Sequence, residues 1–347
     1  MTFNEELNIA LDRILTGQSL SEEQIKLLAR SRLIFPETSC KEQIKCFSTA
    51  LPAIGDDSAQ LSLPEATTLS LLWRVWLPLA LTIAEKKAKK SSAIIQGILG
   101  LQGTGKTTLA KILQLLLSEL GYHTVTLSLD DLYKTYRDRE QLKKEDPRLI
   151  GRGPPGTHDV EIGIELLDKI QAGDTPISMP RFDKSAYQGM GDRATPEIIN
   201  QKIDILLFEG WFVGVQPISE TAFQSAPPPI VTEEDRQFAI DNNRRLAAYL
   251  PLWNRLDGLI ILSPVDYRLS QQWRKEAEQK MIAQGKSGMN EAKINQFVEY
   301  FWRSLHPKLL MTPLITAKRG VDVVIEINEN HLPIRTYGSL GILAENV

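Results

Sequence analysis

The 347-residue sequence carries 40 Lys and Arg against 43 Asp and Glu, so its formal charge of −3 gives no general basic surface for nucleic acid. Apolar residues make up 42% and charged residues 24%, as is typical of a soluble globular protein. Only Cys40 and Cys46 occur, so no disulfide framework is implied, and their CX5C spacing favours two ordinary thiols over a metal knuckle.

The amino-terminal region, residues 1–65, predicts short helices joined by loops. Its first residues include acidic side chains among alternating apolar and polar positions, unlike a signal or transit peptide. We therefore expect a cytoplasmic protein or a mature organellar enzyme. The most apolar stretch, residues 71–84, is interrupted by Arg74 and Pro78 and is too short to span a bilayer. We predict a buried helix there, and no membrane partner.

Strand and helix patterns alternate after residue 93. This alternation predicts an α/β fold with three α/β/α layers, in which helices cover both faces of a mainly parallel sheet. A long helix is predicted at 106–121, directly after the first strand. Buried strands are predicted at 93–100, 123–129, 203–210, 256–263 and 321–327. We expect the last of these strands to end the sheet.

The segment GLQGTGKT, residues 100–107, fits G-x-x-x-x-G-K-[ST] and stands between a predicted strand and a predicted helix, as a P-loop requires. Its glycines let backbone N–H groups face phosphate oxygens, and the helix amino terminus adds partial positive charge. Lys106 would neutralise the β- and γ-phosphates, and Thr107 would reach Mg²⁺. ATP and Mg²⁺ are thus the predicted cofactors. The predicted nucleotide-binding residues are Gly100, Gly103, Thr104, Gly105, Lys106, Thr107 and Thr108.

Acidic residues end two of the predicted strands. Glu209 in LLFEGW is a single carboxylate before a glycine, which suits Mg²⁺ support in a small-molecule kinase, although a strand-end Glu can also be a plain turn residue. Asp130 in LSLDDLY would take the proton of an acceptor hydroxyl, because carboxyl ends of parallel strands line the ligand crevice. Asp131 could cap the next turn, support the metal or contact substrate. The GTPase strings N/T-K-x-D and D-x-x-G are absent.

Five segments together resemble the plant and cyanobacterial type of D-glycerate 3-kinase: GLQGTGKTTL, LSLDDLY, GRGPPGTHD, PRFDKSAYQGMGDR and FEGWFVG. The resemblance covers about residues 90–330 and is more distant to uridine kinase, phosphoribulokinase and pantothenate kinase. We predict a P-loop kinase domain at 66–347 and a helical extension at 1–65, a region without a motif that the resemblance covers. The resemblance implies transfer of the ATP γ-phosphate to the 3-hydroxyl of D-glycerate, giving 3-phosphoglycerate and ADP as in photorespiration. By position, Asp130 matches the presumed base and Glu209 the Mg²⁺-supporting carboxylate.

A basic lid is implied around residues 266–305. Within WRKEAEQ, Arg274 is the predicted catalytic residue that meets the charge of the transferring phosphate, together with Lys106 and Asp130. Arg268 and Lys275 are the alternatives to Arg274. Closing such a lid would exclude water that otherwise competes for the phosphate.

The acceptor carboxylate needs cationic or backbone N–H partners. On the glycine-rich loop 180–193, we predict that Arg193 and Lys184 bind this carboxylate and that Asp183 binds a hydroxyl, the alternative being a solvated surface loop. In GRGPPGTHDV, residues 151–160, Arg152 or His158 could touch the substrate, while Thr157 or Asp159 caps the next helix.

Two other functions stay open from the sequence. A kinase of a different small molecule, such as a nucleoside, sugar or pantothenate, would share the same P-loop. A nucleoside would need an aromatic slot, which Tyr133, Phe182 and Tyr187 could form. A nucleotide-binding protein without catalysis is the other alternative. The joint presence of four residues argues against it: Lys106, Thr107, Asp130 and Glu209. The sequence does not predict the oligomeric state.

Overall fold

The computed structural model describes residues 2–59, 64–283, 289–317 and 320–341. The predicted helical extension at 1–65 therefore includes positions 60–63, which lie outside the described residues. The predicted lid at 266–305 likewise includes the undescribed positions 284–288. The same is true of 318–319 and 342–347 at the end of the predicted kinase domain. The fold can be followed through the remaining ranges.

The helices fall into an amino-terminal group before the sheet and a group that alternates with its strands. The amino-terminal helices are α1 (Phe3–Leu15), α2 (Glu22–Ser31), α3 (Cys40–Ala59), α4 (Glu65–Leu71) and α5 (Leu77–Ala88), the last two joined by a π-helical turn at Leu72–Trp76. The later helices are α6 (Lys106–Glu119), α7 (Tyr136–Glu145), α8 (Val160–Ala172), α9 (Glu233–Arg245), α10 (Leu250–Trp253), α11 (Leu269–Ala283), α12 (Glu291–Ser304) and α13 (Pro307–Ala317).

The strands form one large sheet and two small hairpins. The large sheet contains β1 (Ile94–Gly100), β2 (Thr124–Ser128), β7 (Ile205–Gly210), β8 (Gly258–Pro264), β9 (Val323–Ile327) and β10 (Pro333–Tyr337), in the order β10-β9-β8-β1-β7-β2. The hairpins pair β3 (Ile177–Met179) with β6 (Glu197–Ile199) and β4 (Phe182–Asp183) with β5 (Asp192–Arg193).

The five predicted sheet strands are all confirmed, and they pair in parallel. The expectation that 321–327 ends the sheet is wrong, because β10 pairs antiparallel with β9 at the edge. The sequence pattern did not predict strand β10, because Pro333 and Arg335 interrupt the alternation of apolar and polar residues that marks an ordinary strand. An edge strand tolerates both residues.

Side chains of β1 alternate between two apolar layers, one on each face of the sheet. Ile94 and Ile98 join the amino-terminal helices and α6 in one core, whereas Ile95 and Leu99 join α8, α10 and α12 in the other. This period of two along a doubly buried strand produces the predicted three-layer α/β/α fold. Because carboxyl ends of the parallel strands share one edge, the loops after β1, β2 and β7 meet there.

The helical run Glu65–Ala88 is long and apolar enough to cross a membrane by length and composition, but 78% of its most apolar window is buried within the protein. The prediction of a buried helix at 71–84 is confirmed. Trp73 in this run is fully buried, and its indole N–H donates to the carbonyl of Leu28 at 3.1 Å. The amino-terminal helices also share one apolar core with strands of the sheet. Cys40 and Cys46 are free thiols whose pKa burial raises.

Candidate active site

The P-loop connects β1 to α6 at the carboxyl edge of the sheet, as predicted. Gly103 and Gly105 have φ angles of 78° and 86°, a left-handed conformation that side chains disfavour. Lys106 begins α6, so the partial positive charge of the helix amino terminus lies beside the loop. The buried Thr104 hydroxyl donates to the Leu101 carbonyl at 2.8 Å, which fixes the turn from within. The geometry is that of an anion-binding strand–loop–helix unit.

The loop is closely fitted at two glycines. A Cβ at Gly100 would lie 2.4 Å from the Thr104 hydroxyl oxygen, and a Cβ at Gly103 would lie 2.6 Å from the Cβ of Trp273. Trp273 belongs to α11, so the predicted lid helix packs directly on the P-loop. Thr107 and Thr108, in the first turn of α6, are exposed. Of the predicted nucleotide-binding residues, Thr104 is thus engaged within the loop while Thr107 and Thr108 are accessible.

Glu209 ends β7, the strand between β1 and β2, and its carboxylate reaches the P-loop helix. The Thr107 hydroxyl donates to Glu209 Oε1 at 3.0 Å, and Glu209 Oε2 is buried without a hydrogen-bond partner. A buried carboxylate oxygen without a partner costs about 1–3 kcal/mol or more, and a cation ligand would offset that cost. Within the described ranges, no group of three or more His, Cys, Asp or Glu forms a closed metal cage. An open site with few protein ligands suits Mg²⁺ held mainly by phosphate oxygens.

Asp130 follows β2 and faces a basic environment. Lys184 of the glycine-rich loop forms an ion pair with its Oδ2 at 2.6 Å. Burial raises the pKa of Asp130, but the charge and hydrogen bond of Lys184 and the charge of Lys106 more than offset this effect, so the pKa stays below its ordinary value. Asp130 is therefore ionised at neutral pH and can accept a proton. The structure brings the predicted base and the P-loop lysine into one electrostatic unit.

Asp131, predicted to contact substrate, instead holds the glycine-rich loop against β2. Its carboxylate accepts N–H groups from Ser128 and Phe182 at 3.0 and 3.2 Å and pairs with Arg181 at 3.2 Å. Burial raises its pKa, and these partners work in the opposite direction. Both oxygens are thus occupied by protein groups, and a substrate contact for Asp131 stays a prediction. The turn-capping role was one of the alternatives considered from the sequence, and the Ser128 contact is of that kind.

The glycine–proline loop, residues 151–160, runs beside the segment after β2. Tyr133 and His158 form an antiparallel bridge, and their rings stack with centroids 4.4 Å apart. His158 is 2% exposed, and burial lowers its pKa to about 3. Asp159 accepts the N–H of Ile162 at 3.4 Å, so it, rather than Thr157, caps α8. The loop therefore caps a helix and also places His158 next to the residues that follow Asp130.

The other predicted acceptor residues lie around the same loop but have protein partners. Arg152 donates to the Gly189 carbonyl at 2.7 Å, and Arg193 pairs with Asp159 at 2.7 Å. Asp183 accepts the N–H and hydroxyl of Ser185. Their predicted contacts with substrate are not tested by these bonds and stay predictions. The structure does bring Arg152, His158, Lys184 and Arg193 to one side of the sheet edge.

Protein side chains partly cover the aromatic rings that were predicted as a possible nucleoside slot, those of Tyr133, Phe182 and Tyr187. Tyr133 has His158 stacked on it and Phe182 edge-on at 5.1 Å, and Tyr187 stacks on Tyr136 at 4.3 Å. Each of the two tyrosines therefore has a ring face already occupied by a protein ring.

The predicted lid contains α11 and α12. Arg274 forms an ion pair with Glu278, its guanidinium lies 5.4 Å from the Phe297 ring centre, and its Nε is buried without a hydrogen-bond partner. The two alternatives to it, Arg268 and Lys275, pair with Asp266 and Glu291. Contact between Arg274 and the transferring phosphate stays a prediction.

Several residues near the site were not singled out from sequence. Arg139 of α7 is 5% exposed, and its guanidinium donates to the carbonyls of Met190 and Gly191 in the glycine-rich loop. Tyr249 bonds to His158, and Trp273 packs on the P-loop. Arg139 stands in the strongly polar run YRDREQLKKE, where an exposed helix face is the ordinary expectation. No local signal distinguishes it from its exposed neighbours.

Comparison with known proteins supports a kinase. No family model matches the chain. The chloroplastic D-glycerate 3-kinase of Arabidopsis thaliana is 30% identical over 278 residues, covering 75% of this chain but only 59% of that protein. An uncharacterized kinase of Schizosaccharomyces pombe, mug58, is 31% identical over 230 residues, covering 64% of this chain and 83% of that protein. The solved D-glycerate 3-kinase of Cryptococcus neoformans has 25% identity and a TM-score of 0.65, over 76% of this chain and 98% of its own.

The Cryptococcus structure matches the fold of this chain, and the two sequence relatives align over most of it. The fission-yeast relative exceeds 30% identity and is covered over more than two thirds of its length. The chain therefore belongs to the family of P-loop kinases that includes these D-glycerate 3-kinases and the fission-yeast kinase.

Proposed function

We propose that this protein transfers the γ-phosphate of ATP to the 3-hydroxyl of D-glycerate, with Mg²⁺ as the metal. The observation that carries the proposal is the ionised Asp130, placed beside a complete P-loop and paired with Lys184. A hydroxyl acceptor needs a carboxylate of this kind to orient it and receive its proton. The names of the Arabidopsis and Cryptococcus relatives supply the choice of D-glycerate.

The residues present fit ATP and Mg²⁺. The glycines of the P-loop leave its backbone open to phosphate, and the unpartnered Glu209 Oε2 offers a ligand near Thr107. When bound, Mg²⁺–ATP supplies the transferable phosphoryl group and neutralises part of its charge. Thr107 and Glu209 would hold the metal, directly or through water, and Lys106 would hold phosphate. Asp130 would orient the acceptor hydroxyl and take its proton, while the lid helices α11 and α12 keep water out.

The test is an ADP-release assay on the purified protein against a panel of acceptors: D-glycerate, glycerol, uridine, cytidine, ribulose 5-phosphate and pantothenate. D-glycerate should give the highest kcat/KM, with 3-phosphoglycerate as product by NMR. Turnover of another acceptor without turnover of D-glycerate would refute the proposal. A photorespiratory role and a cytoplasmic location remain predictions from the sequence.

A further inference from the structure

Two buried nitrogen donors beside Asp130 have no hydrogen-bond partner. Arg139 Nη1 and His158 Nε2 both belong to side chains that are more than nine-tenths buried. Buried polar groups are nearly always satisfied, and each unsatisfied donor costs about 1–3 kcal/mol, more when charged. Two such donors close to the predicted base point to a ligand that supplies acceptor oxygens.

The protonation state of His158 follows from its neighbour Tyr249. The Tyr249 hydroxyl oxygen accepts the N–H of Gly156 at 2.9 Å, and the same hydroxyl lies 2.9 Å from His158 Nδ1. The neutral form of His158 is favoured by burial, which depresses its pKa. Because the Tyr249 oxygen already receives backbone hydrogen bonds from Gly156 and His158, we assign its hydroxyl proton to Nδ1, which places the ring proton on Nε2. His158 Nε2 is thus an N–H donor.

Arg139 and His158 lie on either side of the Tyr133–Phe182 ring pair and are close enough to interact electrostatically. His158 stacks on Tyr133, whose ring centre is 5.1 Å from that of Phe182. The guanidinium carbons of Arg139 and Arg152 lie 5.2 and 5.9 Å from the Phe182 ring centre. Two arginines and one N–H donor therefore surround this ring pair, next to Asp130.

The charge around Arg139 is not fully balanced by the protein. Its hydrogen bonds go to backbone carbonyls of Met190 and Gly191, which are neutral. Burial, followed by the like charge of Arg152, lowers the pKa of Arg139, and Asp192 opposes this effect. A buried cation held mainly by carbonyls beside a second cation is costly, and an anion between them would offset that cost.

We propose that Arg139 Nη1 and His158 Nε2, assisted by Arg152, bind the carboxylate of the acceptor substrate. This inference rests on the proposed function, because it takes the acceptor to be a small hydroxy acid. A carboxylate offers two oxygens for two N–H donors, and its charge matches the unbalanced guanidinium. His158 stacks on Tyr133, which bonds to Asp130, so a short hydroxy acid held by His158 can present its hydroxyl to the base. Specificity for an anionic acceptor would thus be set by Arg139 rather than by Arg193 and Lys184, which pair with Asp159 and Asp130.

The test compares R139Q with R137Q, the same substitution at an exposed position on the same helix. The kcat/KM ratio of D-glycerate to D-glyceramide is measured for each protein, because this ratio does not depend on the folded fraction. R139Q should lower the ratio by about 10- to 100-fold, the loss expected for a charged hydrogen bond, and R137Q should leave it unchanged. The R139K variant should keep part of the preference because it keeps the charge. An equal loss with both acceptors means that Arg139 only supports the loop, and it overturns the inference.

Calorimetric titration of D-glycerate into the nucleotide-free proteins gives a second readout. R139Q and H158F should bind D-glycerate at least 10-fold more weakly than the wild type while binding ATP equally well. An unchanged Kd for D-glycerate in R139Q refutes the pocket even if the enzyme is a glycerate kinase. Conversely, a wild type that phosphorylates a different hydroxy acid and loses that preference in R139Q keeps the pocket and refutes D-glycerate as substrate.

Discussion

Replacing Gly103 by alanine tests how tightly the lid helix is fitted to the P-loop. Both Gly103 and Gly105 have left-handed backbones, so alanine at either position costs about 1–2 kcal/mol in backbone strain. At Gly105 nothing lies within 4 Å of the new Cβ, whereas at Gly103 it would lie 2.6 Å from the Cβ of Trp273. Trp273 is buried and hydrogen-bonded to the Glu329 carbonyl at 3.0 Å, so it cannot move without α11.

Overpacking of this kind adds about 1–3 kcal/mol. The expected loss of unfolding free energy is therefore about 2–5 kcal/mol for G103A and about 1–2 kcal/mol for G105A. Equilibrium urea unfolding without nucleotide measures both variants against the wild type, so that altered ATP binding does not enter. Equal losses for G103A and G105A would refute the contact between α11 and the P-loop.

Three further substitutions test the site itself by the ADP-release assay. D130N should lower kcat by about 10²–10⁴-fold with little change in KM for ATP, and an unchanged kcat would remove Asp130 from the role of base. K184M removes a charge 2.6 Å from Asp130, worth about 1.6 kcal/mol at the dielectric constant of water. The pKa of Asp130 should therefore rise by about one unit, and the acidic limb of the pH profile of kcat/KM should move to higher pH by the same amount. An acidic limb that stays at the same pH or moves to lower pH contradicts this account. E209Q should raise the Mg²⁺ concentration for half-maximal activity by about 10-fold or more, whereas an unchanged Mg²⁺ requirement would place the metal elsewhere.

Elements with strong local signals were predictable. The strand, glycine loop and helix around Lys106 appear in order in the chain, and their chemistry depends on backbone geometry that the glycines impose. Asp130 and Glu209 were predictable for a related reason, since each stands at the carboxyl end of a buried strand of a parallel sheet. The edge strand β10 was not, because its residues lack the alternation that marks a half-buried strand.

The sequence did not predict which side chains pair with these carboxylates. Asp130 and Asp131 are adjacent in sequence, yet one meets Lys184 near the P-loop and the other is occupied by Arg181 and Phe182. Which carboxylate is available depends on how the loop 180–193 folds back on β2. That choice is made by contacts between segments about 50 residues apart, so local composition carries little information about it.

The sequence by itself determined the α/β fold, the P-loop and the two strand-end carboxylates, because each depends on local periodicity or on residues a few positions apart. The tertiary structure decided which side chains surround Asp130. Only folding places Arg139, from a polar helix, beside His158, from a glycine–proline loop, and leaves one donor of each without a partner. Burial leaves Arg139 Nη1 and His158 Nε2 without solvent partners, and burial is a property of the whole fold.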